Sequence, residues 1–424
     1  MIDLKKMKPE EIAQVCKARG VKIDVPQLLA VLDEKTTLLA KLEDARSRAN
    51  DIAKLVQTAP AGERAELIRE GGALKHRIKI YEGFHTQLNT TFEEFSLALP
   101  NDLAKDTPIG TSDAANVQVE VFGEPRKFEF RPKDHLELGK DFGMDLEAGT
   151  RVAGSGFPLM RGPLAQMESA MLRFVYDKAI SSGFTPVSVP VLAKTAVLKG
   201  IGFNPRRADD GTEIFFTNDD LCLAGTAEIP LVGQYAGQII ETKELPIKLV
   251  ALTPCFRREG AHGRRDAGLY RNRMFYKVEL VVLAEEGKTD AIHEEIRAFE
   301  TEVFKELGLH FRVLRISSGD LGAPAFKKYD LEGWMMGRGG DSADAGWGEL
   351  TSCSNCTDFQ SRRLMIRHKS GDKKPEYVHT LNGTGVTTRA LICLLEQHQN
   401  ADGSVNIPPV LRQHMAGKEI LRKE

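Results

Sequence analysis

The stretch KLVALTPCFRREGAHGRRDAGLYRNRMFYKVELVV, from Lys248 to Val282, holds two apolar runs separated by glycines and arginines. Residues 248–257 and 274–282 are strand candidates, rich in Leu, Val, Phe and Tyr. Between them Gly260, Gly263, Arg264, Arg265, Asp266 and Gly268 read as a flexible basic loop. Two strands joined this way can hold Arg257 rigidly against a phosphate while Phe275 offers an aromatic face to a base. The guanidinium fork matches phosphate geometry well. An ordinary basic surface loop has the same composition, so the rest of the chain must weigh between the two.

Working outward, further strands are predicted at 185–190, 311–317, 349–353 and 376–380, and helices at 164–182, 287–307 and 386–398. Leu164, Met167, Met171, Phe174 and Val175 give the first helix its apolar face, and Gly183 stops it. Pro190 belongs at a strand end or sheet edge. Strands follow one another without a helix between each pair, which points to an α+β fold with an antiparallel sheet flanked by helices. No GxxxxGK[ST] loop or dinucleotide fingerprint is present.

Two more polar clusters carry possible chemistry. In Glu349-Leu350-Thr351-Ser352-Cys353-Ser354-Asn355-Cys356, Glu349 and Ser352 are hard oxygen donors of the kind Mg²⁺ accepts when it already bridges phosphates. The Cys353-x-x-Cys356 pair could serve zinc or redox chemistry, but no second pair or nearby His completes a zinc site, and buried thiols are the better reading. In Asn382-Gly383-Thr384-Gly385, followed by Arg389 at the head of an apolar helix, small polar groups and a cation meet near a helix start. A plain helix cap would look similar.

From about residue 26 to 99 the apolar residues recur at alternating spacings of three and four, the periodicity of a coiled coil. One seam is Leu38, Leu42, Ala45, Ala49, Ile52, Val56. After the breaker Ala59-Pro60-Ala61-Gly62 a second runs Leu67, Leu74, Ile78, Tyr81, Leu88, Phe92, Phe95, Leu99, with Gly71 and His85 as imperfect members. The prediction is an antiparallel helical hairpin over about 27–99, an arm on the order of 45 Å long. A dimerisation coiled coil is the alternative. The Pro-, Gly- and Asp-containing stretch after Pro100 marks a boundary, dividing the chain into a domain at 1–105 and another at 106–424.

The chain has 424 residues, room for two domains and a large core without disulfides or metals. Its 58 basic and 60 acidic residues nearly cancel, so nucleic-acid binding would need a local basic face. No run approaches the roughly 20 apolar residues of a membrane helix, and the start MIDLKKMKPEE lacks a signal-peptide core. A cytoplasmic location is the expectation, with no membrane partner, and six scattered cysteines fit a reducing compartment.

Taken in order, these segments resemble the seryl-tRNA synthetase family of class II aminoacyl-tRNA synthetases, in its common bacterial and organellar type, nearly from end to end. The likeness rests on FEFRPKDHLELG from Phe128, GTAEIPL from Gly225, TPCFRRE from Thr253, KVEL from Lys277, SCSNC from Ser352 with Asp358-Phe359-Gln360, and YVHTLNG from Tyr377. The resemblance implies a class II antiparallel sheet with an N-terminal antiparallel coiled-coil arm, and ATP-dependent activation of L-serine followed by transfer to tRNA(Ser), and to tRNA(Sec) where present. It implies that motif 1, the helix 164–182 and the strand ending at Pro190, builds a homodimer. It further implies that Arg257, Glu259, Phe275, Glu349, Ser352 and Arg389 bind ATP, with Arg257 and Arg389 catalytic. Glu349 and Ser352 would hold Mg²⁺, and Thr226, Glu228, Arg257, Glu279, Asn382 and Thr384 would surround serine. The arm would reach the tRNA.

Two stretches depart from the family pattern. The motif 2 loop, Gly260 to Arg273, is one residue shorter than usual, with Arg273-Met274 where His-Gln is customary, and motif 3 is one residue short before Arg389. They leave open the alternative of a specialised or inhibitor-resistant paralogue.

Overall fold

The computed structural model describes Leu4 and residues 7–203, 214–259, 267–339 and 346–423. The chain divides into two compact units, Ile2–Pro100 and Asn101–Glu424.

In the first unit two long helices, Val25–Thr58 and Ala61–Ala98, run antiparallel. Asp24 caps the first, its carboxylate accepting from the Gln27 N–H at 2.9 Å, and Pro26 occupies a first-turn position where a missing donor costs nothing. The break is shorter than the four-residue breaker predicted: only Ala59 and Pro60 lie outside helix. Pro60 needs no partner for an N–H, so the second helix begins directly after it. Every predicted seam residue is buried or half-buried, including Gly71 and His85. Ala45, Ile52 and Leu74 form the centre of the seam. A Cβ on Gly71 would sit 3.5 Å from Ile52 Cγ2, ordinary contact, so the imperfect seam position is a close approach and not a gap. At 34 and 38 residues the helices span roughly 50 Å. Arg46 and Glu82 pair across the hairpin at 2.7 Å, both well exposed, which fixes register more than it stabilises.

The second unit is built on an eight-stranded sheet. Its strands in chain order are β1 (Val117–Phe122), β2 (Thr185–Pro186), β3 (Ile247–Phe256), β4 (Met274–Ala284), β5 (Phe311–Arg315), β6 (Lys327–Trp334), β7 (Trp347–Thr357) and β8 (His379–Thr387). The spatial order is β1-β5-β6-β7-β8-β4-β3-β2. All neighbours are antiparallel except β2 and β3. The α+β expectation is met. The strand predicted over 185–190 is reduced to two residues, with Val187 N–H donating to the Val250 carbonyl beyond it. Two prolines in six residues leave too few donors for a longer ladder.

One face of the sheet is covered by the helices Gly162–Ser181, Thr289–Glu306 and Ala390–His398. The main core lies there, where Met167, Met171 and Val175 meet Val278, Leu280 and Val386. On the opposite face, at the β3 and β4 end, Leu249, Ala251, Val281 and Leu283 join a second cluster with Ile229 and Leu231. Along β4 the alternation of a strand therefore places Val278, Leu280 and Val282 in the main core and Phe275, Lys277 and Glu279 on the other side, where Phe275 and Lys277 line a cleft.

Candidate active site

The cleft is lined by Arg257, Glu259, Tyr270, Phe275, Lys277, Glu349, Ser352, Thr384 and Arg389, among others. Local rules of strand geometry explain how these positions converge. Arg257 follows β3 on the same parity as Ala251 and Cys255, which register against Glu279 and Phe275 of β4. Its N–H donates to the Arg273 carbonyl at 2.9 Å, and its guanidinium lies 5.3 Å from the Phe275 ring centroid. Glu259 takes a positive φ of 28° and accepts from Arg271 at 3.2 Å. Residues 260–266, most of the predicted basic loop, lie outside the described residues.

Glu349 and Ser352 are three apart, a spacing that would put them on opposite faces of a regular strand. The register slips between Leu331/Thr351 and Glu332/Glu349, leaving Leu350 as an extra residue. This β-bulge turns Glu349 and Ser352 to the same face, while Thr351 and Cys353 point into the core. A second slip, at Gly385, lies just before the turn to Arg389. There a Cβ would come within 2.9 Å of Val175.

Arg389 is held by three partners. Its Nε donates to the Tyr270 carbonyl at 2.9 Å, Nη1 donates to the Glu349 carbonyl at 2.7 Å, and the Glu349 carboxylate is 3.4 Å away. Burial tends to raise the Glu349 carboxyl, but Arg389, Lys328 and Arg257 outweigh it and hold the group below its ordinary range. An ionised carboxylate and the Ser352 hydroxyl on one face of β7 fit a divalent cation that phosphates would help ligate. Arg389 lines the cleft.

The deeper wall is acidic and largely closed. Glu228 Oε1 accepts from Asn382 Nδ2 and from Gln360 Nε2, each at 2.7 Å. Thr226, buried, accepts from the Glu228 N–H at 3.2 Å. Glu279 is buried, paired with the equally buried Lys277, and lies opposite Thr384 in the β4–β8 register. Burial raises the Glu279 carboxyl to about 7 against the pull of Lys277, with Glu228 adding to the rise. Glu228 is also raised, first by burial, with Gln360, Lys277 and Asn382 opposing.

The sequence assigns no site role to Lys277, Tyr270 or Gln360. Lys277 sits between Phe275 and Glu279 at period two, so strand alternation alone could have found it. No local pattern marks Tyr270, and Gln360 stood in a matched motif without a role. Cys353 and Cys356 are buried thiols, as are Cys16, Cys222, Cys255 and Cys393.

With this geometry in view, comparison with known proteins gives a consistent result. Residues 215–398 match the tRNA synthetase class II core domain (G, H, P, S and T), and residues 1–103 the seryl-tRNA synthetase N-terminal domain. A serine–tRNA ligase of Rhodopirellula baltica is 42% identical over 419 residues, covering 97% of each chain. The chain belongs to the seryl-tRNA synthetase family. A serine–tRNA ligase of Treponema denticola is 40% identical, covering 97% of this chain and 98% of its own length. Among solved structures, seryl-tRNA synthetase from Pyrococcus horikoshii complexed with ATP superimposes with a TM-score of 0.88 at 31% identity, covering 100% of both chains. Cytoplasmic serine–tRNA ligase from Naegleria fowleri in complex with AMP gives 0.84 at 27%, covering 99% of this chain and 97% of that one. Neither the relatives nor the solved structures support the alternative of a specialised paralogue. No helix among the described residues is long and apolar enough to cross a membrane.

Proposed function

We propose that this member of the family activates L-serine with ATP in the cleft between β3, β4, β7 and β8 and transfers the seryl group to tRNA(Ser), and to tRNA(Sec) where that tRNA occurs. The observation that carries the assignment of roles is a cleft lined by two guanidiniums and an aromatic ring, joined through Lys277, which also lines it, to the buried carboxylate of Glu279.

ATP binds with its adenine on Phe275 and its phosphates against Arg257 and Arg389, with Glu259 on the adenine side. Glu349 and Ser352 would hold Mg²⁺, which when bound would neutralise phosphate charge. The serine ammonium or hydroxyl meets Glu279, with Thr226, Glu228, Asn382 and Thr384 completing the pocket. A serine carboxylate oxygen attacks the α-phosphorus in line and pyrophosphate leaves. A terminal ribose hydroxyl of the tRNA then attacks the seryl carbonyl and AMP leaves. The protein's part is positioning and charge stabilisation, with Arg257 and Arg389 fixed before substrate arrives. A pocket built to hydrogen-bond a hydroxyl rejects alanine by leaving polar groups unpaired, whereas threonine must be excluded by shape.

The helical hairpin serves as the tRNA-binding arm, its basic residues from Lys41 to Lys79 being exposed, within a domain at 1–105 that is distinct from a catalytic domain at 106–424. Two copies pair through the helix Gly162–Ser181 and the segment ending at Pro190, and the enzyme works in the cytoplasm. Serine-dependent exchange of pyrophosphate into ATP, followed by charging of total tRNA, tests the two half-reactions separately.

A further inference from the structure

The segment Phe128–Gly139 matches the family, yet none of its residues enters the cleft. Its buried polar side chain is His135, at the start of the helix His135–Asp141. The imidazole Nδ1 is 3.0 Å from Glu396 Oε1, and Nε2 accepts a long bond, 3.5 Å, from the Leu269 N–H. A backbone N–H can only donate, so the ring proton belongs on Nδ1, facing the carboxylate. Glu396 is fully buried and accepts twice more, from the His135 N–H at 2.9 Å and the Gly337 N–H at 3.2 Å.

These four bonds tie the His135 helix to three other segments. Glu396 sits two turns along the helix headed by Arg389. Leu269 precedes Tyr270, whose carbonyl accepts from Arg389 and whose ring packs against two guanidiniums, Arg389 at 4.5 Å and Arg338 at 3.6 Å. Gly337 precedes Arg338. The approach is tight: a Cβ on Gly268 would lie 2.4 Å from His135 Nε2, and one on Gly337 would lie 3.0 Å from Glu396 Oε1. Gly268 also has a φ of +73°, so glycine is required there twice over.

We propose that His135 and Glu396 are positioning residues for ATP: by fixing Leu269 and Gly337 they set the Tyr270–Arg338–Arg389 stack that borders the cleft. This rests on the reading of the cleft as the ATP site. The serine wall, formed by Glu228, Glu279 and Asn382, has no bond to the pair, so the two substrates are affected unequally.

The test is serine-dependent pyrophosphate exchange by the full-length protein carrying His135→Asn, which keeps a donor toward Glu396 and loses the acceptor for Leu269, and His135→Ala, which loses both. The expected result is an ATP KM raised by about tenfold, more in H135A than in H135N, with the serine KM unchanged. A thermal melt identifies any variant that fails to fold, and H135N, which retains the buried donor, keeps the question answerable if H135A does. An ATP KM like that of the wild type in folded H135N and H135A, or equal rises in both KM values, overturns the proposal. Arg389→Ala serves as the reference. If R389A keeps its exchange activity, the ATP reading fails and the proposal with it; if R389A is inactive while the His135 variants behave as wild type, only the positioning role is lost.

Discussion

Arg389 Nη1 donates to the main-chain oxygen of Glu349 at 2.7 Å, so the motif 3 arginine is locked to the strand that supplies the proposed metal ligands. Together with the 2.9 Å bond from Nε to the Tyr270 carbonyl, this pre-sets the guanidinium before any phosphate binds. Replacing Arg389 by Ala should lower the exchange rate by about 10²–10³-fold. Lysine should not rescue it, because a single ammonium nitrogen lacks the planar fork that reaches the Tyr270 and Glu349 carbonyls from two separate nitrogens. Recovery of more than a tenth of the activity in R389K would show that charge alone matters.

Gln360 and Asn382 both donate to Glu228 Oε1 at 2.7 Å. Gln360→Ala leaves a buried carboxylate short of a donor, at a cost of about 1–3 kcal/mol. The prediction is a serine KM raised severalfold or more, with the ATP KM near normal. Steady-state exchange kinetics with each substrate varied in turn will check it.

Burial pushes the Glu279 carboxyl up to about 7. If the ionised form receives the serine ammonium, the serine KM should fall as pH rises from 6 to 8, the window around that value. Glu279→Gln should bind serine about as weakly as the protonated wild type at every pH and so remove the dependence. A pH profile of the same steepness in E279Q would assign the titration to another group.

His293 is buried, its Nε2 lying 3.0 Å from the Cys353 carbonyl, and burial lowers its pKa to about 4. The folded state therefore binds fewer protons than the unfolded chain between about pH 6.5 and 4, and stability is lost as pH falls through that window. The loss from this one residue is on the order of 3 kcal/mol. The denaturant midpoint of wild type relative to that of His293→Asn should fall as pH is lowered from 6.5 to 4.

Deleting residues 38–90 removes most of the hairpin, whose seam is closed by Ala45, Ile52 and Leu74 of the hairpin itself. Adenylate formation should persist while charging of tRNA is abolished. Loss of both activities together would refute that separation.

The hairpin was legible because heptad spacing is a local signal, and it placed even Gly71 correctly. The β3–β4 pair was legible because both strands are long and apolar. Strands β1 and β6 were not. In β6, Lys327, Lys328, Asp330 and Glu332 make the strand look like a solvated loop, yet Lys328 pairs with Asp330 at 2.9 Å and Glu332 with Arg312 at 2.7 Å on a polar sheet face. Hydropathy cannot announce a strand whose charges are paired along it and with its neighbour. Glu349 and Ser352 were chosen for their oxygens, but what puts them on one face is the bulge at Leu350, which leaves no mark in the sequence. The link from His135 to Glu396 spans 261 residues and depends wholly on tertiary packing.

The central claim is that this cleft activates serine and that the product goes to tRNA. Exchange of pyrophosphate into ATP, measured with each amino acid in turn and followed by charging of total tRNA, tests it most directly. The account predicts exchange with serine, far weaker exchange with alanine and threonine, and seryl-tRNA as the product. Absence of exchange with any amino acid, or exchange with serine and no charging, would contradict it.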